Sequence, residues 1–289
     1  MNDELMIVYP NCKINIGLRV LNKRKDGYHN LETIFYPIYG LTDTLVVEPS
    51  DGMDIVFHQD GLAVDCDPEA NLIVRCYRRM KELYPTIGGV EVRFTKSIPF
   101  GAGLGGGSSD AAHMAMALNE LFHLGLTNGE LAAVVSPLGA DCAFFIYNTP
   151  CYAEGIGNKL TPIADKLQGV RLVMVKPEVA ISTKEAYAGI TSEQPEGSLP
   201  TELTIAALTH NPAYINDFEP AVFAAHPLLA DIKKRLQDAG AFYTAMSGSG
   251  STVYGLFQDD AERRAAIDLA ILDKEFAAMV IFNDTLTQA

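Results

Sequence analysis

The stretch that decides the fold is Pro99-Phe100-Gly101-Ala102-Gly103-Leu104-Gly105-Gly106-Gly107-Ser108-Ser109-Asp110, which leads directly into an Ala- and Met-rich helical pattern. Glycine permits positive φ angles and lets backbone N–H groups approach a ligand closely. We expect Ser108 or Ser109 to cap the helix, so that its first-turn N–H groups and positive dipole end face the glycines. The stretch therefore predicts an anion site, and the usual anion is a phosphate.

Other phosphate-binding motifs fit this stretch less well. Gly101, Gly103 and Gly106 satisfy the G-x-G-x-x-G pattern of dinucleotide-binding folds, but that motif needs a second strand ending in an acid about 20 residues on. Here the helical pattern continues through that window. A Walker A loop needs a lysine, and none lies between Lys96 and Lys159. The H-R-D and D-F-G motifs of protein kinases are absent, and a flexible linker has no reason to lead into a capped amphipathic helix.

The composition is typical of a globular protein and excludes several kinds of partner. The 289 residues, 48% of them hydrophobic, are enough for one large or two modest domains. A net charge of −14 repels phosphate backbones and anionic lipid, so we expect no nucleic acid and no membrane partner. The N-terminus lacks a signal-peptide layout and no apolar run is long enough to span a membrane, so we expect a cytoplasmic protein.

The cysteines and histidines predict neither disulfides nor a metal centre. The five cysteines are an odd number without a C-x-x-C spacing, and the six histidines form no H-E-x-x-H motif. We therefore expect free thiols in a reducing compartment and no protein metal site.

An early strand leads into the densest basic cluster of the chain. Apolar and polar residues alternate from Cys12 to Val20, which predicts a half-buried strand with Lys13, Asn15 and Arg19 on one face. Periodicity alone slightly favours a solvated face for these three. The segment Lys23-Arg24-Lys25-Asp26-Gly27-Tyr28-His29-Asn30 follows and contains a turn signal. It is either a charged hairpin tip or a receptor for a substrate phosphate.

Strands and helices are predicted on both sides of the glycines. We expect a helix from Pro68 through Met80 and strands at Leu31–Tyr39, Asp43–Glu48, Met53–Phe57 and Val90–Phe94. The helix after the glycines buries an apolar face from Ala111 to Phe122, and Gly125 is expected at its C′ position. Thr127 and Glu130 form a capping box that starts another short helix.

The last half predicts a second α+β unit. Strands are expected at Arg171–Lys176, Phe242–Met246, Thr252–Phe257 and Ala278–Phe282, and helices at Ser182–Glu185, Leu228–Ala239 and Ala261–Leu272. A second small-residue loop, Ser247-Gly248-Ser249-Gly250-Ser251, joins two of the strands. Asp141, before the apolar run Cys142–Tyr147, is either a helix cap or a partly desolvated base, and the residues alone favour the cap.

Five motifs in this order resemble one family. They are Cys12-Lys13-Ile14-Asn15, Asp26-Gly27-Tyr28-His29, the glycine stretch, Gly139-Ala140-Asp141 and Met246-Ser247-Gly248-Ser249-Gly250. Together they resemble the GHMP kinase superfamily and, within it, the diphosphocytidyl-methylerythritol kinases. Two departures are mild, since Cys12 stands where that family commonly has Ala, and Cys142-Ala143 where it commonly has Val-Pro. Neither replaces a polar functional residue.

The resemblance implies a fold and a reaction. The fold is α+β with two domains: a ribosomal-protein-S5-like ATP-binding domain at residues 1–163 and a ferredoxin-like α/β sandwich at residues 164–289, with the active site in the cleft between them. The reaction is ATP- and Mg²⁺-dependent phosphorylation of the 2-hydroxyl of diphosphocytidyl-methylerythritol in non-mevalonate isoprenoid synthesis. Asp141 would orient or deprotonate that hydroxyl, and Lys13 would keep Asp141 ionised and neutralise charge on the transferring group.

The resemblance also implies two binding sets. The ATP-binding residues are Asn71, Leu72, Lys96, Pro99, Gly101, Gly103, Leu104, Gly105, Gly106, Gly107, Ser108 and Ser109. The substrate-binding residues are Asn15, Tyr28, His29, Tyr187, Gly248 and Ser249. Asn71, Leu72 and Lys96 would lie near the adenine. Tyr28 and Tyr187 would sandwich the cytosine, and His29 would read its polar edge.

Two alternatives stay open at this point. A homoserine- or mevalonate-type kinase of the same superfamily is disfavoured by the Asp26–His29 motif. A sensor that binds nucleotide and sugar without turnover is disfavoured because Lys13 and Asp141 are both present. In each case the partner is a small molecule, and we expect a monomer or a weak homodimer.

Overall fold

The computed structural model divides the chain into two compact α+β units. The described residues are 5–63, 67–190, 194–260 and 280–287. The first unit consists of Met1–Cys12, Leu41–Phe100 and Gly105–Thr149, and the second of Lys13–Gly40, Gly101–Leu104 and Pro150–Ala289. The chain therefore passes between the units twice inside the glycine stretch, after Phe100 and again after Leu104. The domain boundary expected near residue 163 stays a prediction.

The first unit contains a four-stranded sheet and four helices. Its strands follow the order β1 (Met6–Val8), β4 (Thr44–Ser50), β6 (Gly89–Lys96) and β5 (Ile55–Gly61). Its helices are α1 (Leu72–Leu83), α2 (Gly106–Leu121), α3 (Asn128–Val135) and α4 (Cys142–Tyr147), with a short 3₁₀ helix at Pro68–Ala70. Strands β5 and β6 are parallel, so the chain needs a crossover between them, which α1 provides.

Both predicted ends of helix α2 were wrong. Its N-cap is Gly105, with φ of 71°, and Ser108 and Ser109 lie inside the first turn. The left-handed residue after its C-terminus is His123, with φ of 49°, and not Gly125. His123 N–H bonds the Glu120 carbonyl and Leu124 N–H bonds the Asn119 carbonyl, which satisfies the last carbonyls of the helix. By contrast, the capping box at Thr127 is confirmed.

The second unit contains two four-stranded sheets. One has the order β2 (Asn11–Lys23), β3 (His29–Thr42), β7 (Cys151–Glu154) and β8 (Lys159–Pro162). The other has the order β10 (Tyr243–Met246), β11 (Val253–Phe257), β9 (Arg171–Lys176) and β12 (Val280–Thr285). Its helices are α5 (Thr183–Ala188), α6 (Ile205–His210), α7 (Glu219–Ala225) and α8 (Pro227–Asp238). The helix expected at Ala261–Leu272 lies outside the described residues.

Strand β2 is buried on both faces, so the solvated polar face predicted for it was wrong. Lys13 and Asn15 are each 3% exposed and Arg19 is 8% exposed. Alternation alone identifies the strand but does not reveal that other elements cover its polar side. In the described part of the chain, no helix combines the length and apolar character needed to cross a membrane.

Candidate active site

At the start of helix α2, in the first unit, no side chain caps the backbone N–H groups. Gly105 holds the left-handed conformation at the N-cap and makes no side-chain cap, and its carbonyl accepts the first helical bond, from Ser109 N–H at 3.0 Å. The first N–H groups of a helix have no intrahelical partner, so those of Gly106, Gly107 and Ser108 point out of the helix end. With the positive end of the helix dipole, this arrangement suits a phosphate.

A buried ionic cluster lies beneath this helix start. The Lys96 ammonium is 2.5 Å from Asp43 Oδ2 and 3.0 Å from Asp110 Oδ2. Asp43 Oδ1 also accepts bonds from the N–H groups of Ser97 at 2.6 Å and Ile98 at 2.8 Å. A Cβ at Gly106 would lie 2.9 Å from the Lys96 ammonium. A side chain at position 106 would therefore require the ammonium to shift from its place under the first turn.

Asp110 is the carboxyl group of this cluster whose hydrogen bonding is incomplete. It is 4% exposed, and its Oδ1 is a buried atom without a hydrogen-bond partner among the described residues. Burial raises the pKa of Asp110 well above its usual range. The Lys96 ammonium lowers this pKa only in part, because it is also bonded to Asp43.

Asp141 stands beside the same first turn. It occupies the N-cap position of α4, but its carboxylate makes no capping hydrogen bond, so the predicted capping role was wrong. The next residue, Cys142, shares a hydrogen bond with Ser108 of α2. Burial raises the pKa of the Cys142 thiol to about 12, and the Asp141 charge adds to that rise. Asp141 therefore directly precedes the residue that links α4 to the first turn of α2 within the first unit.

Lys13 is buried in the second unit among oxygen atoms and a ring. Its ammonium donates to Asn15 Oδ1 at 2.5 Å and to the Gly103 carbonyl at 2.9 Å. It also lies 5.2 Å from the centre of the Phe35 ring, within cation–π range. The backbone N–H of Lys13 donates to the Leu104 carbonyl at 3.0 Å. Strand β2 is therefore tied to residues Gly101–Leu104 by both its backbone and its lysine.

Two residues outside the predicted catalytic and binding sets complete this network. Ser247 Oγ donates to the same Gly103 carbonyl at 2.8 Å and accepts the Asn15 N–H at 3.3 Å. Thr33 Oγ1 accepts from Asn15 Nδ2 at 3.0 Å. Ser247 could have been found, since it opens the second small-residue loop. Thr33 carries no comparable signal, because a threonine within a strand is ordinary.

Two of the three residues predicted to bind the cytosine, His29 and Tyr187, are in contact with each other. The rings of His29 and Tyr187 stack at 4.9 Å with an interplanar angle of 15°, and Phe218 meets Tyr187 edge-on at 4.9 Å. Tyr28 follows the Asp26 turn, which is confirmed, and is 63% exposed. His29 and Tyr187 thus form one aromatic surface in the second unit, and Tyr28 is largely exposed.

The remaining predicted residues fall into the two units as follows. Asn71 caps α1 by accepting the Ile73 N–H at 2.9 Å, and Leu72 opens that helix. Pro99 belongs to the first unit, whereas Gly101, with φ of 62°, belongs to the second. A Cβ at Gly248 would press on Gly103 and Asn15, so this glycine and Ser249 lie in a loop packed against Gly101–Leu104. The described residues contain no group of three or more His, Cys, Asp or Glu that could hold a metal ion.

Family models and known proteins agree with this architecture. Residues 71–149 match the GHMP kinases N terminal domain, and residues 202–268 match the GHMP kinases C terminal domain. A homoserine kinase from Cytophaga hutchinsonii has a TM-score of 0.74 at 17% identity and covers 99% of this chain and 96% of its own. At that identity the likeness concerns the fold alone. The chain belongs to the GHMP kinase family, and the predicted α+β fold is confirmed.

More similar proteins share a narrower name. A protein of Bacteroides thetaiotaomicron named 4-diphosphocytidyl-2-C-methyl-D-erythritol kinase is 47% identical over 258 residues, covering 88% of this chain and 93% of that protein. One of Cytophaga hutchinsonii with the same name is 42% identical and covers 89% and 94%. A crystal structure of 4-(cytidine 5'-diphospho)-2C-methyl-D-erythritol kinase has a TM-score of 0.80 at 32% identity, covering 98% of this chain and all of that one.

Proposed function

We propose that this protein transfers the terminal phosphoryl group of ATP to the 2-hydroxyl of 4-diphosphocytidyl-2-C-methyl-D-erythritol, giving the 2-phosphate and ADP. The observation that carries the proposal is the 47% identity, over 88% of the chain, to a protein of that name. Homoserine and mevalonate kinases share the fold at only 16–17% identity in the examples compared. Similarity at this level gives no support for either of those substrates.

The start of α2 is the proposed binding site for the ATP phosphates. The outward N–H groups of its first turn stabilise negative charge without needing to reorganise during the reaction. The residues present fit a nucleotide phosphate better than a free metal ion, since the donors are N–H groups. Mg²⁺ commonly binds through substrate phosphates and water, and when bound it neutralises charge on the phosphates.

Asp141 and Lys13 are the proposed catalytic residues. Asp141 accepts the proton of the acceptor hydroxyl or orients that hydroxyl toward the phosphoryl group. Lys13 keeps the carboxylate ionised and stabilises negative charge on the group in transfer. Two observations support these roles, one in each unit. Asp141 directly precedes Cys142, which bonds to Ser108 in the first turn of α2, and Lys13 is oriented by Asn15 and Gly103.

The aromatic surface of His29 and Tyr187 is the proposed binding site for the cytosine. A base can stack on such a surface, and the exposed Tyr28 would cover its other face. Asn15 would contact the acceptor end. The adenine would lie near Asn71, Leu72 and the stem of Lys96.

The direct test is incubation of the purified protein with 4-diphosphocytidyl-2-C-methyl-D-erythritol, ATP and Mg²⁺. We expect a new phosphomonoester by ³¹P NMR and stoichiometric ADP, with little ADP when homoserine or mevalonate replaces the substrate. Binding of both ligands without ADP release would favour a sensor. Preference for either replacement substrate would contradict the proposed acceptor.

Asp141→Asn and Lys13→Ala test the catalytic roles. General-base and charge-stabilising groups contribute on the order of 10²–10⁴-fold to such reactions, so each variant should lose turnover by about that factor. Asp238→Asn and Lys234→Ala are matched controls, because these two residues form an exposed ion pair on α8. Near-normal turnover in Asp141→Asn or Lys13→Ala, with a normal circular dichroism spectrum, would refute the assignment.

A further inference from the structure

We infer that Asn216 is a positioning residue that sets the loop Ser247–Ser251 and, through that loop, the ammonium of Lys13. The inference rests on the proposed function, because the position of Lys13 matters to catalysis only if Lys13 serves the reaction. All residues that carry it belong to the second unit.

The segment Ile215–Glu219 is fastened to the strand that carries Lys13. The Leu18 N–H donates to the Ile215 carbonyl, and the Asp217 N–H donates to the Leu18 carbonyl, each at 2.8 Å. The Asp217 carboxylate accepts the Val20 N–H at 2.8 Å and pairs with Arg19 at 3.3 Å. Asn216 therefore has a backbone position defined by strand β2.

The side chain of Asn216 points away from β2 to the second small-residue loop. It is 2% exposed, and its Nδ2 donates to the carbonyls of Met246 at 2.7 Å and Gly248 at 2.8 Å. Its Oδ1 accepts the Phe218 N–H at 3.0 Å. Both amide protons are thus used to hold the two carbonyls on either side of Ser247.

Glu219 holds Met246, the residue that directly precedes the loop. Its Oε1 accepts the Met246 N–H at 2.8 Å, and its Oε2 lies 2.5 Å from the Lys233 ammonium. The backbone around Met246 is therefore bound on both its N–H and its C=O side by the segment Ile215–Glu219. Small-residue loops have little side-chain packing of their own, so these bonds help to fix Ser247, together with the bond from Ser247 N–H to the Thr252 carbonyl at 2.9 Å.

Ser247 connects the loop to the lysine. Its hydroxyl donates to the Gly103 carbonyl at 2.8 Å, and Lys13 donates to that same carbonyl at 2.9 Å. A shift of Ser247 would move this shared acceptor and the ammonium with it. A displacement of about 1 Å of a reacting group can cost roughly 10²-fold in rate.

Asn216→Asp tests the inference with little change in size. The new carboxylate keeps the acceptor for Phe218 but places a negative oxygen against two carbonyls, so the loop must move. We expect kcat to fall by about 10²-fold, with a much smaller change in KM. Asp217→Asn is the matched control, because Asp217 lies on the same segment but faces β2. An equal loss of kcat in Asp217→Asn at an equal loss of melting temperature would overturn the inference.

Ser247→Ala separates positioning from general destabilisation. If Asn216 acts through Ser247, Asn216→Asp should cost far less in a Ser247→Ala background than alone, which is the signature of coupled residues. Full additivity of the two losses would overturn the inference. Should Asn216→Asp fail to fold, Asn216→Ala removes the donors without adding charge and completes the same cycle.

Amide hydrogen exchange gives a readout that needs no turnover. Peptides covering Met246–Ser251 should exchange faster in Asn216→Asp than in the wild type or in Asp217→Asn. Unchanged exchange would overturn the inference, whatever the substrate proves to be. A wild type that fails to phosphorylate the proposed substrate would instead count against the proposed function, and the exchange result would still stand.

Discussion

Lys96 in the first unit and Lys13 in the second are equally buried, each 3% exposed, but different atoms surround their ammonium groups. Lys96 is bonded to the carboxylates of Asp43 and Asp110. The contacts described for Lys13 in its unit are an amide oxygen, a peptide carbonyl and the Phe35 ring. Within its unit the Lys13 ammonium is oriented by neutral oxygens and a ring, whereas the Lys96 ammonium is held by two carboxyl groups. Burial alone therefore does not distinguish a lysine that stabilises the fold from one that is proposed to act in the reaction.

Replacing each lysine by methionine should have the largest effect and should separate the two roles. Lys96→Met leaves Asp43 and Asp110 buried without the cation that they share, and breaking a buried pair in this way costs about 3–5 kcal/mol of unfolding free energy. Lys13→Met should cost less than about 2 kcal/mol of unfolding free energy, since Gly103 keeps its bond from Ser247. Its turnover should nevertheless fall at least about 10²-fold. Urea unfolding and kcat measurements on both variants check this prediction. If the two variants lose stability and turnover to the same extent, the proposed difference between the two lysines is wrong.

Asn15→Asp should place an additional carboxylate against Lys13, as Asp43 and Asp110 lie against Lys96. The new carboxylate would lie where Asn15 Oδ1 now accepts at 2.5 Å and would cancel the positive charge that the proposed mechanism uses. We expect a loss of about 10-fold to 100-fold in kcat with the fold retained. Activity should partly recover as the pH falls and the new carboxyl group becomes protonated. A kcat equal to that of the wild type would show that Lys13 does not act through its charge.

Asp110→Asn makes the reverse change on the Lys96 side and should have the smallest effect. Because the folded-state pKa of Asp110 is raised, its favourable contribution to stability is complete below the unfolded-state pKa and is lost as the pH rises through the folded-state value. The asparagine does not titrate, so its stability relative to the wild type should increase with pH. Urea unfolding from pH 5 to pH 9 measures this. If the wild type instead becomes more stable relative to the variant as the pH rises, Asp110 is ionised in its pair with Lys96.

Local features of the fold could be predicted wherever they depend on neighbouring residues. The capping box at Thr127, the turn at Asp26-Gly27 and helix α8 are confirmed, because each depends on side chains a few positions apart. Both ends of α2 were wrong for an opposite reason. Gly105 and His123 take positive φ angles that the surrounding structure imposes, while Ser109 and Gly125 were merely the residue types usually found at such ends.

The sequence by itself determined the family, the glycine-rich stretch proposed to bind phosphate and the identity of the residues proposed for chemistry, because these depend on residue type and order along the chain. Only the tertiary structure decided that the polar face of β2 is buried, that Lys96 is held by Asp43 and Asp110, and that Asn216 reaches the loop after β10. The physical reason is that burial and hydrogen-bond partners belong to pairs of residues far apart in the chain. Lys13 and Lys96 are the same residue type, and only their folded surroundings make them different.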